Sequence, residues 1–375
     1  MCLNKDKGVV KNHLKGLDTL RALAALIVVF GHIEMVKMDY KLENLIDSNS
    51  IIFPSGHIAV ILFFVLSGFL ITYLLVKEIE TNKEISFKKF YMRRILRIWP
   101  LYYLIIILSY LLMYESQSIR SIFLCLTIFP NVAHAIGEGW GASPQIWSIG
   151  VEEQFYLVWP ILLSTIFLSK AKRILPTLLL LFFVAYTILP EVIGYINTHY
   201  VSIGFMGGVE KFFYGSKYNC MAIGAFIGIA YANNKKWIST LNNNMIFIPV
   251  GLIVFLLWFF KFELNPFTDE LFSILFALII LGAIGNKTIN IDNVVTKFLG
   301  KISFGIYMYH WIVLILVMNF LPRIENHFYY NCLLYLIVFS LTIFISWLSY
   351  RCIEQRFLNL KDKYRIKHTI NKIYE

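Results

Sequence analysis

Apolar and polar residues follow each other in long blocks along the chain. Ten apolar runs, each close to the roughly 20 residues that a helix needs to cross a bilayer, are separated by short polar segments. This pattern predicts an all-α, polytopic bundle of about ten transmembrane helices. The predicted spans are 17–36, 57–76, 95–114, 147–168, 174–194, 217–232, 244–260, 268–285, 303–321 and 331–350.

The distribution of Lys and Arg predicts the orientation of these spans. If both termini are cytoplasmic, 26 of the 34 Lys and Arg residues lie inside and six lie outside, with Arg21 and Lys217 assigned to neither side. An inner excess of this kind is typical of membrane proteins. The apolar segment 120–134 is then a short or re-entrant piece on the outer side, because a full crossing would move the basic cluster at 170–173 outside.

Composition agrees with a membrane protein. Hydrophobic residues make up 58% of the 375-residue chain, and the mean hydropathy is +0.67, whereas soluble domains contain about 45–50% apolar residues. The net charge of +11 comes from residues that flank apolar runs, so we expect a lipid bilayer and not a nucleic acid as the partner. Five scattered cysteines give no disulfide or metal-binding spacing.

The apolar pattern also predicts the domain organisation. We expect one transmembrane domain over residues 1–360 and a basic cytoplasmic tail over 361–375. No appended extracytoplasmic domain is expected.

The first span contains two ionisable residues on one face. Arg21 and His32 are eleven residues apart, which places them on one stripe of a helix about 16 Å apart. A buried Arg costs about 2.5–3.5 kcal/mol on insertion scales, so such residues usually face a protein or water interior and mark function. The alternative is that Arg21 reaches the membrane interface and His32 caps the far end of the span.

A cluster of three arginines precedes the third span. Arg93, Arg94 and Arg97 lie three or four residues apart within FYMRRILRIWPLYY, so they can share a helix face. Guanidinium groups bind phosphates bidentately, which predicts a phosphate-binding fork at the cytoplasmic mouth. From charge alone, ordinary anchoring to anionic lipid headgroups explains these residues better.

Two adjacent acids open the fourth span. Glu152 and Glu153 lie in WSIGVEEQFYLVWP, and Tyr156 shares a face with Glu152. Neighbouring residues cannot share a helix face, so we prefer Glu152 as the functional acid. With the predicted orientation it lies at a depth similar to that of His32, which suggests a pair in which the acid orients the imidazole of a general base.

Three further residues are candidates for a supporting role. Ser67 precedes Gly68 in FFVLSGFLITYLL, and such a small pair most often permits close helix approach. His310 lies among aromatic residues, including Tyr307, in the ninth span. A lone His in such a setting is more often structural than catalytic, and a catalytic role is the alternative for His310. Direct substrate contact is the alternative for Ser67.

Taken together, these segments resemble acyltransferase family 3, whose members O-acylate polysaccharides, O-antigens and peptidoglycan. The matching segments occur in the order GLDTLRALAALIVVFGH, FFVLSGFLITYLL, FYMRRILRIWPLYY, WSIGVEEQFYLVWP and SFGIYMYHWIV. They cover about the first 165 residues and residues 300–312. No comparable motif is found between about 170 and 295, where we expect acceptor specificity to reside.

The resemblance implies roles for these residues. Arg21 and His32 match the Arg and His of the family's first helix, and Arg94 and Arg97 match the Arg-x-x-Arg motif associated with the acyl-CoA donor. Roles are also implied for four residues in or beside the other motifs, namely Asp18, Glu152, Glu153 and His310. Asp18 could simply compensate Arg21 as an i,i+3 partner.

The resulting hypothesis is an enzyme of a bacterial cytoplasmic membrane. It predicts acetyl-CoA as donor, no metal, and a glycan or lipid-linked glycan as acceptor at the extracytoplasmic face. His32, oriented by Glu152, would activate the acceptor hydroxyl or take the acyl group itself. The alternatives are a secondary transporter that couples protons or an anion through intramembrane Arg, His and Glu, and a non-catalytic scaffold.

Overall fold

The computed structural model describes residues 14–42, 54–112, 117–141, 143–168, 173–199, 204–241, 244–286 and 288–364. Within these ranges the chain forms helices and no strand. The α-helices are α1 Leu17–Asp39, α2 Gly56–Asn82, α3 Phe87–Leu112, α4 Ile119–Leu126, α5 Pro130–Ala135, α6 Trp147–Leu168, α7 Leu175–His199, α8 Gly204–Gly215, α9 Tyr218–Ala232, α10 Lys236–Leu241, α11 Asn244–Phe259, α12 Thr268–Gly285, α13 Val294–Phe320, α14 His327–Ser349 and α15 Gln355–Lys361. A π-helical turn, Tyr350–Glu354, joins α14 to α15.

The predicted all-α membrane bundle is confirmed. Seven of the described helices are long and apolar enough to cross a membrane, namely α1, α2, α3, α7, α12, α13 and the continuous stretch from α14 through α15. The other three predicted runs also form helices, which are α6, α9 and α11 with 22, 15 and 16 residues. The count of ten spans and the cytoplasmic position of both termini stay predictions. Most of the predicted basic tail, from residue 365 onward, lies outside the described residues.

The segment after α3 is made of short helices. α4 has eight residues and α5 has six, so their lengths of about 12 Å and 9 Å are far below the roughly 30 Å of a bilayer core. Arg120 forms a 3.0 Å ion pair with Glu138 beyond these helices. This geometry agrees with the expected short or re-entrant piece.

Glycines allow the central helices to pack closely. A Cβ atom at Gly68 of α2 would overlap the Met221 carbonyl group of α9, and one at Gly224 would overlap the Val65 carbonyl group. Small residues at such crossings let helix backbones approach, which is a main source of packing in membranes. The expectation of close helix approach at Gly68 therefore holds, with α9 as the partner.

The start of α1 is fixed against the segment before α13. The Gly16 N–H donates to Asp292 Oδ2 at 2.9 Å, and Thr19 Oγ1 donates to Asp292 Oδ1 at 2.8 Å. At Gly300 of α13 a Cβ atom would overlap the Asp18 backbone, so the two helices touch there. These contacts set the rotation of α1 and therefore the direction in which Arg21 and His32 point.

Candidate active site

Three cations converge on a cavity of about 230 Å³ between α1, α2, α3, α6 and α13. We call it the arginine cavity because Arg21, Arg94 and Arg97 line it. Arg21 lies 3.7 Å from Asp18, the predicted i,i+3 pair. Lys361 of α15 also lines the cavity and adds a fourth cation. This concentration of positive charge suits a ligand with several phosphate groups.

Two aromatic rings lie close to the Arg94 guanidinium group. Its guanidinium carbon lies 5.5 Å from the centre of the Tyr156 ring and 5.8 Å from the centre of the Phe90 ring, which are cation–π distances. Its buried Nε atom has no hydrogen-bond partner among the described residues. A cation stacked in this way keeps donors available for a ligand.

Arg93, unlike Arg94 and Arg97, does not line the arginine cavity. It donates to Glu78 Oε2 at 3.3 Å and to the Tyr364 carbonyl oxygen at 3.0 Å, and it is absent from the cavity lining. Adjacent residues on a helix point about 100° apart, so Arg94 and Arg93 face different neighbours. The prediction that all three arginines form one fork is wrong for Arg93.

The two acids of α6 also separate. Glu152 lines the arginine cavity, where it accepts hydrogen bonds from Ser67 Oγ at 2.8 Å and from the Tyr156 hydroxyl at 3.2 Å. Glu153 accepts from Trp99 Nε1 at 2.8 Å and does not line the cavity. Glu152 therefore lies in the same cavity as the arginines.

A second cavity, of about 460 Å³, contains His32, and we call it the histidine cavity. His32 Nδ1 lies 2.7 Å from His310 Nε2, and the two rings stack with centres 5.0 Å apart. The predicted pair of His32 with Glu152 is therefore wrong, because Glu152 is bonded to Ser67 and Tyr156 in the arginine cavity. His310 of α13 occupies the position beside His32 that we expected Glu152 to occupy.

This pair has a defined hydrogen-bond direction. His310 Nδ1 lies 2.7 Å from the Tyr307 carbonyl oxygen, which can only accept, so Nδ1 carries a hydrogen atom. In a neutral His310 the Nε2 atom must then accept from His32 Nδ1. His32 Nε2 is left with a lone pair, which is the form that a general base or nucleophile requires.

The two cavities adjoin at Tyr307 and Val60, which line both. The Tyr307 hydroxyl lies 2.6 Å from Ser148 Oγ and donates to the Gln145 carbonyl oxygen at 3.1 Å. These bonds fix the Tyr307 ring between α13 and the start of α6. One stripe of α1 thus supplies Arg21 to one cavity and His32 to the other.

Sequence reasoning missed several residues of the histidine cavity. His57 of α2 and Asp269 of α12 line it and are bonded to each other at 2.9 Å, although 212 positions separate them in the chain. A lone His and a lone Asp carry no spacing signal, so only the packing of α2 against α12 reveals the pair. Among the described residues, no group of three or more His, Cys, Asp or Glu side chains could hold a metal ion.

The fold and these cavities define a multi-pass α-helical membrane protein whose polar groups gather in two adjoining cavities. The chain belongs to acyltransferase family 3, because the acyltransferase-domain model of this family matches residues 14–351. The resemblance inferred from the sequence motifs is therefore confirmed.

Curated relatives agree with this membership. The chain is 27% identical to a Staphylococcus aureus (strain COL) protein named "Putative O-acetyltransferase", over 95% of this chain and 59% of the relative. It is 24% identical to the peptidoglycan O-acetyltransferase OatA of Listeria monocytogenes, over 92% of this chain and 56% of the relative. The chain thus spans less than two thirds of the length of these relatives. No solved structure matches the chain.

Proposed function

We propose that this protein is a membrane O-acetyltransferase that moves an acetyl group from acetyl-CoA to a hydroxyl group of an extracytoplasmic or lipid-linked glycan. We assign it to the cytoplasmic membrane of a bacterium. The observation that carries the proposal is the pair of adjoining cavities, one cationic around Arg21 and one containing the His32 imidazole. The relatives' names support acetyl transfer, and one of them supports peptidoglycan as an example of the acceptor class.

The arginine cavity is the proposed donor site. Coenzyme A carries several phosphate groups, and Arg94, Arg97 and Lys361 supply matching cations in the cavity lining. Arg21 of α1 adds another cation to the same lining. Glu152 balances part of this charge when the site is empty, held in place by Ser67 and Tyr156. The thioester would then approach Tyr307, where the two cavities adjoin.

The histidine cavity is the proposed site of transfer. His32 Nε2 takes the proton from an acceptor hydroxyl as the oxygen attacks the thioester carbonyl carbon. The C–S bond then breaks, and the coenzyme A thiolate leaves and takes up a proton. In a second route that uses the same nitrogen, His32 first accepts the acetyl group and then passes it to the hydroxyl. Both routes need the His310 bond, which leaves the reactive lone pair on Nε2.

The first test uses His32→Ala in the purified, membrane-reconstituted protein. We expect the rate of acetyl transfer from labelled acetyl-CoA to a soluble glycan to fall by about 10²- to 10⁴-fold, the range for loss of a general base. The matched control is His199→Ala, which removes an exposed histidine at the end of α7 and should leave the rate unchanged. Normal transfer by a folded His32→Ala variant would disprove the assignment.

The second test measures donor binding. Arg97→Ala should weaken coenzyme A binding by about 10- to 100-fold, as expected when a charge-assisted hydrogen bond is lost. Lys89→Ala, an exposed cation on the same helix, is the matched control and should bind normally. A wild-type protein that binds no coenzyme A would contradict the proposed donor and would favour a different donor or a secondary transporter.

A further inference from the structure

A second imidazole, His57, lines the histidine cavity together with His32. The two residues follow Gly31 and Gly56, where α1 and α2 approach closely, since a Cβ atom at Gly31 would lie 3.2 Å from the Gly56 Cα atom. This glycine contact brings the next residue of each helix to the same cavity. The His57 side chain is 47% exposed, so a ligand can reach it.

One side of the His57 ring is fixed by a carboxylate. Nε2 lies 3.0 and 2.9 Å from the two oxygens of Asp269, which can only accept, so Nε2 carries a hydrogen atom. Nδ1 has no partner among the described residues. A hydroxyl group can both donate and accept, so it can bond to Nδ1 whether or not the ring is protonated.

Asp269 is itself held from the buried side. Lys217 Nζ lies 3.0 Å from Asp269 Oδ2 and 3.6 Å from Glu270 Oε1, and the Lys217 side chain is only 4% exposed. Asn219 donates to the same Glu270 oxygen at 2.8 Å. Burying a cation with two acids costs desolvation energy, and removal of one of the three charges destabilises the folded protein because the others lose their partner. Here the three charges hold the His57 ring in one orientation against the cavity.

Part of the remaining wall of the cavity is aromatic. Trp147 and Trp258 line it together with Phe262, and Trp258 is fixed because its Nε1 donates to the Ser55 carbonyl oxygen at 3.0 Å. Apolar rings with a few fixed polar groups are typical of small-molecule sites. Sugars present apolar C–H faces and hydroxyl edges, which match these two kinds of wall.

We propose that His57, oriented by Asp269, is an acceptor-binding residue whose Nδ1 bonds a sugar hydroxyl next to the hydroxyl that His32 activates. The inference rests on the proposed acetyl transfer and names a residue outside the sequence motifs that indicated the family. His57 acts on the acceptor alone, because it lines the histidine cavity and not the arginine cavity.

The test compares acceptor and donor behaviour of His57→Ala in the reconstituted full chain. With a soluble β-linked N-acetylhexosamine tetramer as acceptor, we expect the acceptor KM to rise about 3- to 10-fold, as for loss of one hydrogen bond. Coenzyme A binding and acetyl transfer to water should not change. His57→Gln, whose amide can still bond a hydroxyl, should recover part of the acceptor affinity, and His199→Ala should behave as wild type.

Two results would overturn the inference. The first is a folded His57→Ala variant with an unchanged acceptor KM, and the second is an equal loss of donor binding or of transfer to water. Asp269→Asn adds a second measurement, because loss of the carboxylate should raise the acceptor KM in the same direction. If the wild-type protein transfers acetyl groups to no glycan, the proposed function fails first, and this inference fails with it.

Discussion

The chemistry of the His32–His310 pair depends on one backbone carbonyl group. Because the Tyr307 oxygen can only accept, it fixes the hydrogen atom of His310 on Nδ1, and His310 in turn fixes that of His32. In the proposed mechanism, His310 orients the His32 ring as a carboxylate does in many catalytic pairs, but as a neutral imidazole it brings no negative charge. The sequence left a structural and a catalytic interpretation of His310 open, and the structure places its ring in contact with His32.

We therefore predict that His310→Ala lowers the acetyl-transfer rate by about 10- to 100-fold, the effect of losing a partner that orients a functional imidazole. The donor dissociation constant should stay the same, because His310 does not line the arginine cavity. His310→Gln should recover part of the rate, since its amide oxygen can accept from His32 Nδ1. Equal loss in both variants would contradict an orienting role and indicate a packing role.

At the scale of single helices, glycine contacts decide which faces meet. The α2–α9 crossing at Gly68 places Ser67 toward α6, where it donates to Glu152. The α1–α2 crossing at Gly31 and Gly56 gathers two imidazoles. Close backbone approach therefore both packs the bundle and forms the walls of the two cavities.

Gly68→Ala should lower the free energy of unfolding by about 1–3 kcal/mol, the usual cost of overpacking, because the new methyl group meets the rigid Met221 backbone. The matched control is Gly207→Ala in α8, where a Cβ atom has nothing within 4 Å. That change should be neutral or stabilising by up to about 1 kcal/mol. Thermal unfolding in detergent distinguishes the two, and an unchanged Tm for Gly68→Ala would refute the close crossing.

For the whole molecule, the charged residues are distributed differently at the two ends of the bundle. Arg94, Arg97 and Lys361 line the arginine cavity, and the predicted orientation puts the segments that carry them on the cytoplasmic side. His32 lies on the far part of α1, toward the predicted outer face. Large apolar side chains such as Leu181 and Leu252 remain exposed on the outside of the bundle, as lipid-facing residues do.

This orientation predicts a pattern of thiol labelling in intact cells. In a variant with Cys2, Cys332 and Cys352 replaced by serine, a cysteine introduced at Glu325, between α13 and α14, should react with a membrane-impermeant reagent. A cysteine at Lys89, before the arginines of α3, should react only after permeabilisation. The reverse pattern would place the donor cavity on the outer side and would overturn the proposed route from cytoplasmic acetyl-CoA.

The sequence by itself determined the all-α membrane class, the ten helical runs and the family, because apolar run length and local motifs are properties of consecutive residues. It also placed Arg21 and His32 on one stripe, since helical periodicity fixes that relation. Only the tertiary structure decided which side chains these site residues contact. His310 and not Glu152 meets His32, Arg93 turns away to Glu78, and His57 meets Asp269. These contacts join residues from different helices, and they depend on helix rotation and crossing, which a linear pattern does not specify.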